Sequence, residues 1–224
     1  MQLRQPVVVV LGHVDSGKTS LLDRIRGTAV QAREVGGITQ HIGASFFPIE
    51  TIKEITGSLY QKLSKAETQT PGLLVIDTPG HEVFANLRMR GGSAADLAIV
   101  VVDINKGFEP QTVESVGILA KRKVPFVVAL NKVDAVGGWR KSNQSKTNFS
   151  ITDELKEQDS SVRILLDEKI YDVVGSLSRM GYNSEVFWRV KDFSRELAIV
   201  PVSAVTGVGI PELLVVLVGL AQQY

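Results

Sequence analysis

The chain of 224 residues contains no cysteine. Disulfides, thiolate zinc sites and cysteine nucleophiles are therefore excluded. It also lacks an excess of either charge: 25 Lys and Arg against 24 Asp and Glu leave a formal net charge of +1. With no global field, any contact with nucleic acid or an anionic surface must come from local patches. No apolar run approaches the ~20 residues that span a bilayer, so no membrane contact is expected. The opening residues Met1 to Gln5 lack the pattern of a signal peptide, and a cytoplasmic location is the default expectation. There is no internal repeat and no low-complexity tract. What remains is ordinary: 44% hydrophobic and 22% charged residues suit one well-buried α/β domain with room for an insert.

Five apolar, β-branched runs stand out, at 7–11, 73–76, 97–102, 125–130 and 198–202. Their nearly continuous hydrophobicity suits strands buried on both faces. Helix-like stretches lie at 18–26, 82–93, 110–123 and 210–221. Alternation of this kind predicts a mostly parallel central sheet with helices on both faces. Residues 44–50 read as one antiparallel edge strand, because Pro48 is best tolerated at an edge, and 51–70 as a polar connection. Residues 135–196 form an insert before the last strand. Within it Val162, Leu166, Ile170, Val173, Leu177 and Met180 recur at helical spacing, which predicts one amphipathic helix. Trp139 and Trp188 suggest a small satellite core there. The chain stops soon after a helix opened by Pro211 and reads as one domain, 1–224, cut at its edge.

Gly12-His13-Val14-Asp15-Ser16-Gly17-Lys18-Thr19 fits G-x-x-x-x-G-K-[ST] between a strand and a helix. This is the context of a phosphate-binding loop, in which successive N–H groups share one concavity and a helix N-terminus adds positive potential. Asp15, Ser16, Gly17, Lys18, Thr19 and Ser20 are the expected phosphate-contacting set. Lys18 is expected on the β- and γ-phosphates and the Thr19 hydroxyl on magnesium. The loop alone leaves ATP and GTP open.

Three further segments narrow the choice. Asp77-Thr78-Pro79-Gly80 follows a strand, where Asp77 suits a magnesium-bound water and the Gly80 N–H a γ-phosphate. Asn131-Lys132-Val133-Asp134 follows another. The Asp134 carboxylate accepts from two donors, and guanine offers N1–H and N2–H₂ side by side, so the wrong base leaves a carboxylate unpaired. The apolar stem of Lys132 suits the base plane. Ser203-Ala204-Val205 follows the last strand, where a small residue lets a backbone N–H approach guanine O6. All sit at carboxyl ends of strands, where open α/β sheets bind ligands. Thr39, in the glycine-rich stretch 36–43, is placed to give magnesium a second hydroxyl, as in a loop gathered by a γ-phosphate.

On these motifs the chain resembles the translational GTPases, which have the P-loop NTPase fold. Gly37-Ile38-Thr39-Gln40-His41-Ile42-Gly43-Ala44 is similar to the first switch of the initiation factor 5B and bacterial initiation factor 2 group. Phe46-Phe47-Pro48-Ile49 and the Trp139-containing insert favour the archaeal or eukaryotic form. The resemblance implies GTP and GDP as ligands, with magnesium, and GTP hydrolysis stimulated by the large ribosomal subunit during subunit joining. It implies switches at about 28–43 and 80–93 and a water-positioning role for His81 behind an apolar gate of Val14 and Ile38. It further implies a monovalent cation, sodium or potassium, near Asp15. His13 and His41 are not expected to act in catalysis. Arg33 is the one weak finger in cis, so intrinsic hydrolysis is expected to be slow. Arg88, Arg90 and Lys121-Arg122-Lys123 are charged positions for ribosomal contact. Family members continue into domains that bind initiator tRNA and initiation factor 1A, beyond this chain. A monomer is expected. Two other readings stay open: another translational GTPase, and a GTP-dependent binding module that does not hydrolyse.

Overall fold

The computed structural model describes residues 5–32, 40–41, 43–63, 70–76, 95–141 and 150–222. The expected helix at 82–93 lies outside them. The elements are β1 (Val7–Gly12), α1 (Lys18–Ala32), β2 (Gln40–His41), β3 (Ala44–Pro48), α2 (Ile49–Thr56), α3 (Ser58–Leu63) and β4 (Gly72–Ile76). There follow β5 (Leu97–Asp103), α4 (Pro110–Arg122), β6 (Phe126–Asn131), α5 (Ile151–Lys156), α6 (Ser160–Arg179), β7 (Ser184–Val186), β8 (Leu197–Pro201) and α7 (Ile210–Ala221). All five expected strands form.

The strands make one sheet in the order β2-β3-β4-β1-β5-β6-β8-β7. All pairings are parallel except β3 with β4 and β2 with β3. The antiparallel edge is thus a pair of strands, with the two-residue β2 outermost. At the other rim β7, with no apolar run to announce it, adds to β8. Every residue of β5 and β6 is buried, which explains their unbroken apolar character. From β1 the chain crosses to β4 on one side, and from β5 to β6 on the other, so right-handed crossovers send the helices to opposite faces. α1, α2 and α7 pack together, while α4 lies on β1 and β5 and α6 on β7.

Residues 51–70 do not form a plain polar connection. α2 and α3 occupy most of the described part of this segment, burying Ile49, Ile52, Thr56 and Tyr60 against α7 and the sheet. The apolar residues there are few, but they recur every three to four positions, and α7 offers a surface apolar almost all round. The insert contains the amphipathic α6, with Val162, Leu166, Ile170, Val173 and Leu177 buried. Among the described residues no separate satellite core forms: Trp139 and Trp188 pack against the main core. The insert is also pinned to α7. Glu212 is fully buried, and its Oε1 accepts from the Ser150 hydroxyl at 2.6 Å and from the Ile151 N–H at 3.0 Å. Burial pushes the Glu212 carboxyl above its ordinary range, opposed by those hydrogen bonds.

Candidate functional site

Strand order reverses around β1 and β5, and the loops after β1, β6 and β8 meet at the carboxyl edge of the sheet. The first loop starts at Gly12, where φ is +142°, and a Cβ would lie 2.3 Å from the Val101 carbonyl oxygen. Only glycine lets β1 end this close to β5. A short turn over Val14–Ser16 leads to Gly17 in the left-handed region, and α1 begins at Lys18. The first amide of α1 to close a bond onto the loop is Leu21, which donates to Gly17 O at 2.8 Å. The amides of Gly17, Thr19 and Ser20 take no acceptor among the described residues. They form a concavity of donors at the head of a 15-residue helix, with the chemistry of an anion cradle.

Lys18 spans the mouth of that loop, its ammonium donating to the carbonyls of Gly12 at 2.9 Å and His13 at 2.6 Å. Ser16 is buried, and its hydroxyl bonds back to His13 O at 2.9 Å, so it braces the loop from inside. The Thr19 and Ser20 side chains are exposed. Asp15 is exposed, with Oδ2 3.9 Å from Lys106 Nζ. His13 faces Glu109, Nδ1 to Oε2 3.0 Å.

Asn131 is 1% exposed and joins three segments. It ends β6, its amide donates to Ser16 O at 2.9 Å, and its Oδ1 accepts from the Ala204 N–H at 3.0 Å. Lys132 holds a left-handed φ of +69°, unusual for a residue with a Cβ. Its ammonium meets the buried Asp103 carboxylate at 2.7 Å and Asp15 O at 2.8 Å, so its stem crosses the phosphate loop. Ser203, fully buried, donates to Asp134 Oδ1 at 2.5 Å and accepts from the Thr206 N–H at 3.0 Å. The second Asp134 oxygen has no partner among the described residues.

The structure therefore brings Asp15 to Ser20, Asn131, Lys132, Asp134, Ser203, Ala204 and Val205 to one edge. Thr39, Asp77, Gly80 and His81 lie outside the described residues, as does Ile38, while Val14 is 71% exposed. The Ala204 N–H is taken by Asn131, while the Val205 N–H has no acceptor among the described residues. Asp103, Lys106 and Arg24 were not singled out from the sequence. Asp103 had a signal, being a carboxylate at the end of a wholly apolar strand. Lys106 and Arg24 had none, since each is one of many cations near loops and helices.

Residues 4–223 match the model of the elongation factor Tu GTP binding domain. The chain is 56% identical over 223 residues to a translation initiation factor IF-2 of Ignicoccus hospitalis, covering 100% of this chain and 36% of that protein. It is 54% identical, over equal shares, to the IF-2 of Thermococcus onnurineus. Among solved structures it matches GDP-bound aIF5B from Aeropyrum pernix with a TM-score of 0.91 and 54% identity, covering 100% of this chain and 36% of that one. The chain thus spans little more than a third of the relatives it matches.

Proposed function

Because this chain belongs to the family of the elongation factor Tu GTP-binding domain, we propose that it binds and hydrolyses GTP as the switch of an initiation factor of the archaeal IF-2 type. One observation carries the base choice. Asp134 is held by Ser203, and among the described residues its other oxygen and the Val205 N–H of the neighbouring loop have no partner. That edge complements guanine, whose N1–H and N2–H₂ donate while O6 accepts. An adenine offers the reverse pattern at the six position and leaves a carboxylate and an amide unpaired, a heavy penalty in a half-buried site.

The remaining roles follow from position. The open amides of Gly17, Thr19 and Ser20 take the phosphate oxygens, and Lys18 adds its charge without leaving the loop carbonyls it braces. No group of three or more metal-ligating side chains forms among the described residues. Magnesium suits such a site, since it keeps waters and needs few protein ligands besides phosphate. The exposed Thr19 hydroxyl fits it, with Thr39 and, through water, Asp77. When bound, magnesium supplies positive charge against the phosphates. Asp15, 70% exposed and 3.9 Å from Lys106 Nζ, would hold a sodium or potassium ion near the phosphates. Gly80 touches the γ-phosphate through its N–H. His81 orients the water that attacks phosphorus, the bond to the β,γ-bridging oxygen breaks, and GDP and phosphate result.

In the whole protein this switch acts at subunit joining in the cytoplasm, with the large ribosomal subunit stimulating hydrolysis. Initiator tRNA and initiation factor 1A are met through regions outside this domain. The test is single-turnover GTP hydrolysis by the full-length protein with and without ribosomes, for the parent and His81→Ala. The expected result is strong stimulation in the parent and its loss by orders of magnitude in the variant, with GTP binding retained. A variant hydrolysing at the parental stimulated rate removes His81 from the mechanism.

A further inference from the structure

Arg24 lies on α1, six residues beyond Lys18. Its side chain crosses to the loop after β8, where Nε donates to Ala204 O at 2.9 Å and Nη2 to Val205 O. One planar guanidinium thus grips two consecutive carbonyls, a geometry suited to its rigid fork. The consequence is on the opposite side of each peptide. In a trans peptide the C=O and the following N–H point in opposite directions. Pinning Ala204 O towards α1 therefore aims the Val205 N–H away from α1. Pinning Val205 O aims the Thr206 N–H away likewise, and that N–H is found on Ser203 Oγ at 3.0 Å.

The other amides of this loop are committed. Ser203 N donates to Val208 O at 2.8 Å, Ala204 N to Asn131 Oδ1 at 3.0 Å and Gly207 N to Ser203 O at 2.9 Å. Across residues 203–207 the Val205 N–H is left without an acceptor among the described residues. Arg24 is half-buried, and among the described residues its guanidinium meets no carboxylate; both of its bonds go to this loop.

We infer that Arg24 is a positioning residue for base recognition, holding the 204–205 peptide so that the Val205 N–H meets the 6-oxo group of a bound purine. The inference rests on the guanine-nucleotide reading above. It adds that α1, whose first turn holds the phosphates, also sets the base-reading loop. Phosphate loop and base loop are then tied twice, through Asn131 from below and through Arg24 from α1.

The experiment compares the chain, Arg24→Ala and Arg24→Lys for equilibrium binding of three diphosphates. They are those of guanosine, of inosine, which lacks the 2-amino group, and of 2-aminopurine riboside, which lacks the 6-oxo group. Adenosine diphosphate serves as the base control. Arg24→Ala is expected to bind GDP about tenfold more weakly, the scale of one lost hydrogen bond. It should bind the 2-aminopurine nucleotide within about twofold of the parent, because that ligand never used the 6-oxo contact. The ratio of guanosine to inosine affinity, set at Asp134, should be unchanged. Arg24→Lys, whose ammonium reaches one carbonyl, should recover part of the loss. Equal losses for all three nucleotides, or no loss for GDP, would overturn the role of Arg24 while leaving guanine recognition standing. A parent that does not prefer GDP to ADP would instead overturn the guanine reading and this inference with it.

Discussion

Replacing Asn131 by alanine tests the frame of the site. The side chain is buried and satisfies two backbone groups from distant segments, Ser16 O at 2.9 Å and Ala204 N at 3.0 Å. Alanine leaves both without partners. An unsatisfied buried polar group costs about 1–3 kcal/mol. Ser16 and Ala204 are 1% and 8% exposed, so water can reach them poorly. The sum, reduced where the open edge of the site admits a water, is about 2–4 kcal/mol. For a domain of this size that corresponds to a fall of roughly 5–15 °C in unfolding midpoint. GDP affinity should fall with it, because the phosphate loop and the base loop are no longer held together. The assay is thermal unfolding without nucleotide, joined to amide hydrogen exchange at residue 204. The parent should protect the Ala204 amide and the variant should not. A midpoint within about 1 °C of the parent, with Ala204 still protected, would show that the Asn131 bridge does not hold the site.

Two further predictions concern backbone geometry and charge. Gly17→Ala places a Cβ 2.4 Å from Asn131 Nδ2 at a φ of +89°. Left-handed strain of about 1–2 kcal/mol adds to that collision, so nucleotide binding should drop sharply in a titration even though the domain still folds. Glu212→Gln should stabilise the domain near neutral pH. The folded state holds the Glu212 proton more tightly than the unfolded state, so this group's contribution falls as pH rises from the ordinary carboxylate range through the raised folded value. The glutamine oxygen keeps the bonds to Ser150 and Ile151 and carries no charge. Unfolding midpoints between about pH 5 and pH 7.5 should therefore fall less with pH in the variant than in the parent. A variant less stable than the parent at neutral pH would show the carboxylate to be needed as a charge.

The parallel core was legible because β1, β5, β6 and β8 are apolar on both faces, and a strand buried on both sides has no other composition available. The long insert helix was legible from the spacing of Val162 to Leu177. α2 and α3 were not, because their burial depends on α7, more than 140 residues later in the chain, and a few apolar positions among polar and charged ones carry little signal alone. β7 escaped for a similar reason: Ser184, Glu185 and Val186 become a strand only because β8 offers an open edge. In the site, the residues proposed to touch ligands follow a fixed spacing, so the loops at 12–19 and 131–134 could be read from the sequence. The residues that hold those loops, Arg24 and Asp103, answer to tertiary geometry. An arginine on a helix face looks the same whether it meets water or two carbonyls.

The central claim is that Asp134 and the loop after β8 select a guanine nucleotide. The most direct measurement is a competition titration against a fluorescent GDP, with GDP, ADP and xanthosine diphosphate as competitors, on the parent and on Asp134→Asn. In the parent GDP should displace the probe, whereas ADP and xanthosine diphosphate should not. In Asp134→Asn the preference should move to xanthosine diphosphate, because the new amide donates to the xanthine 2-oxo group that replaces the amino group. If ADP displaces the probe as well as GDP in the parent, or if Asp134→Asn keeps the parental preference for GDP, the base is not read by Asp134 and the account fails at its centre.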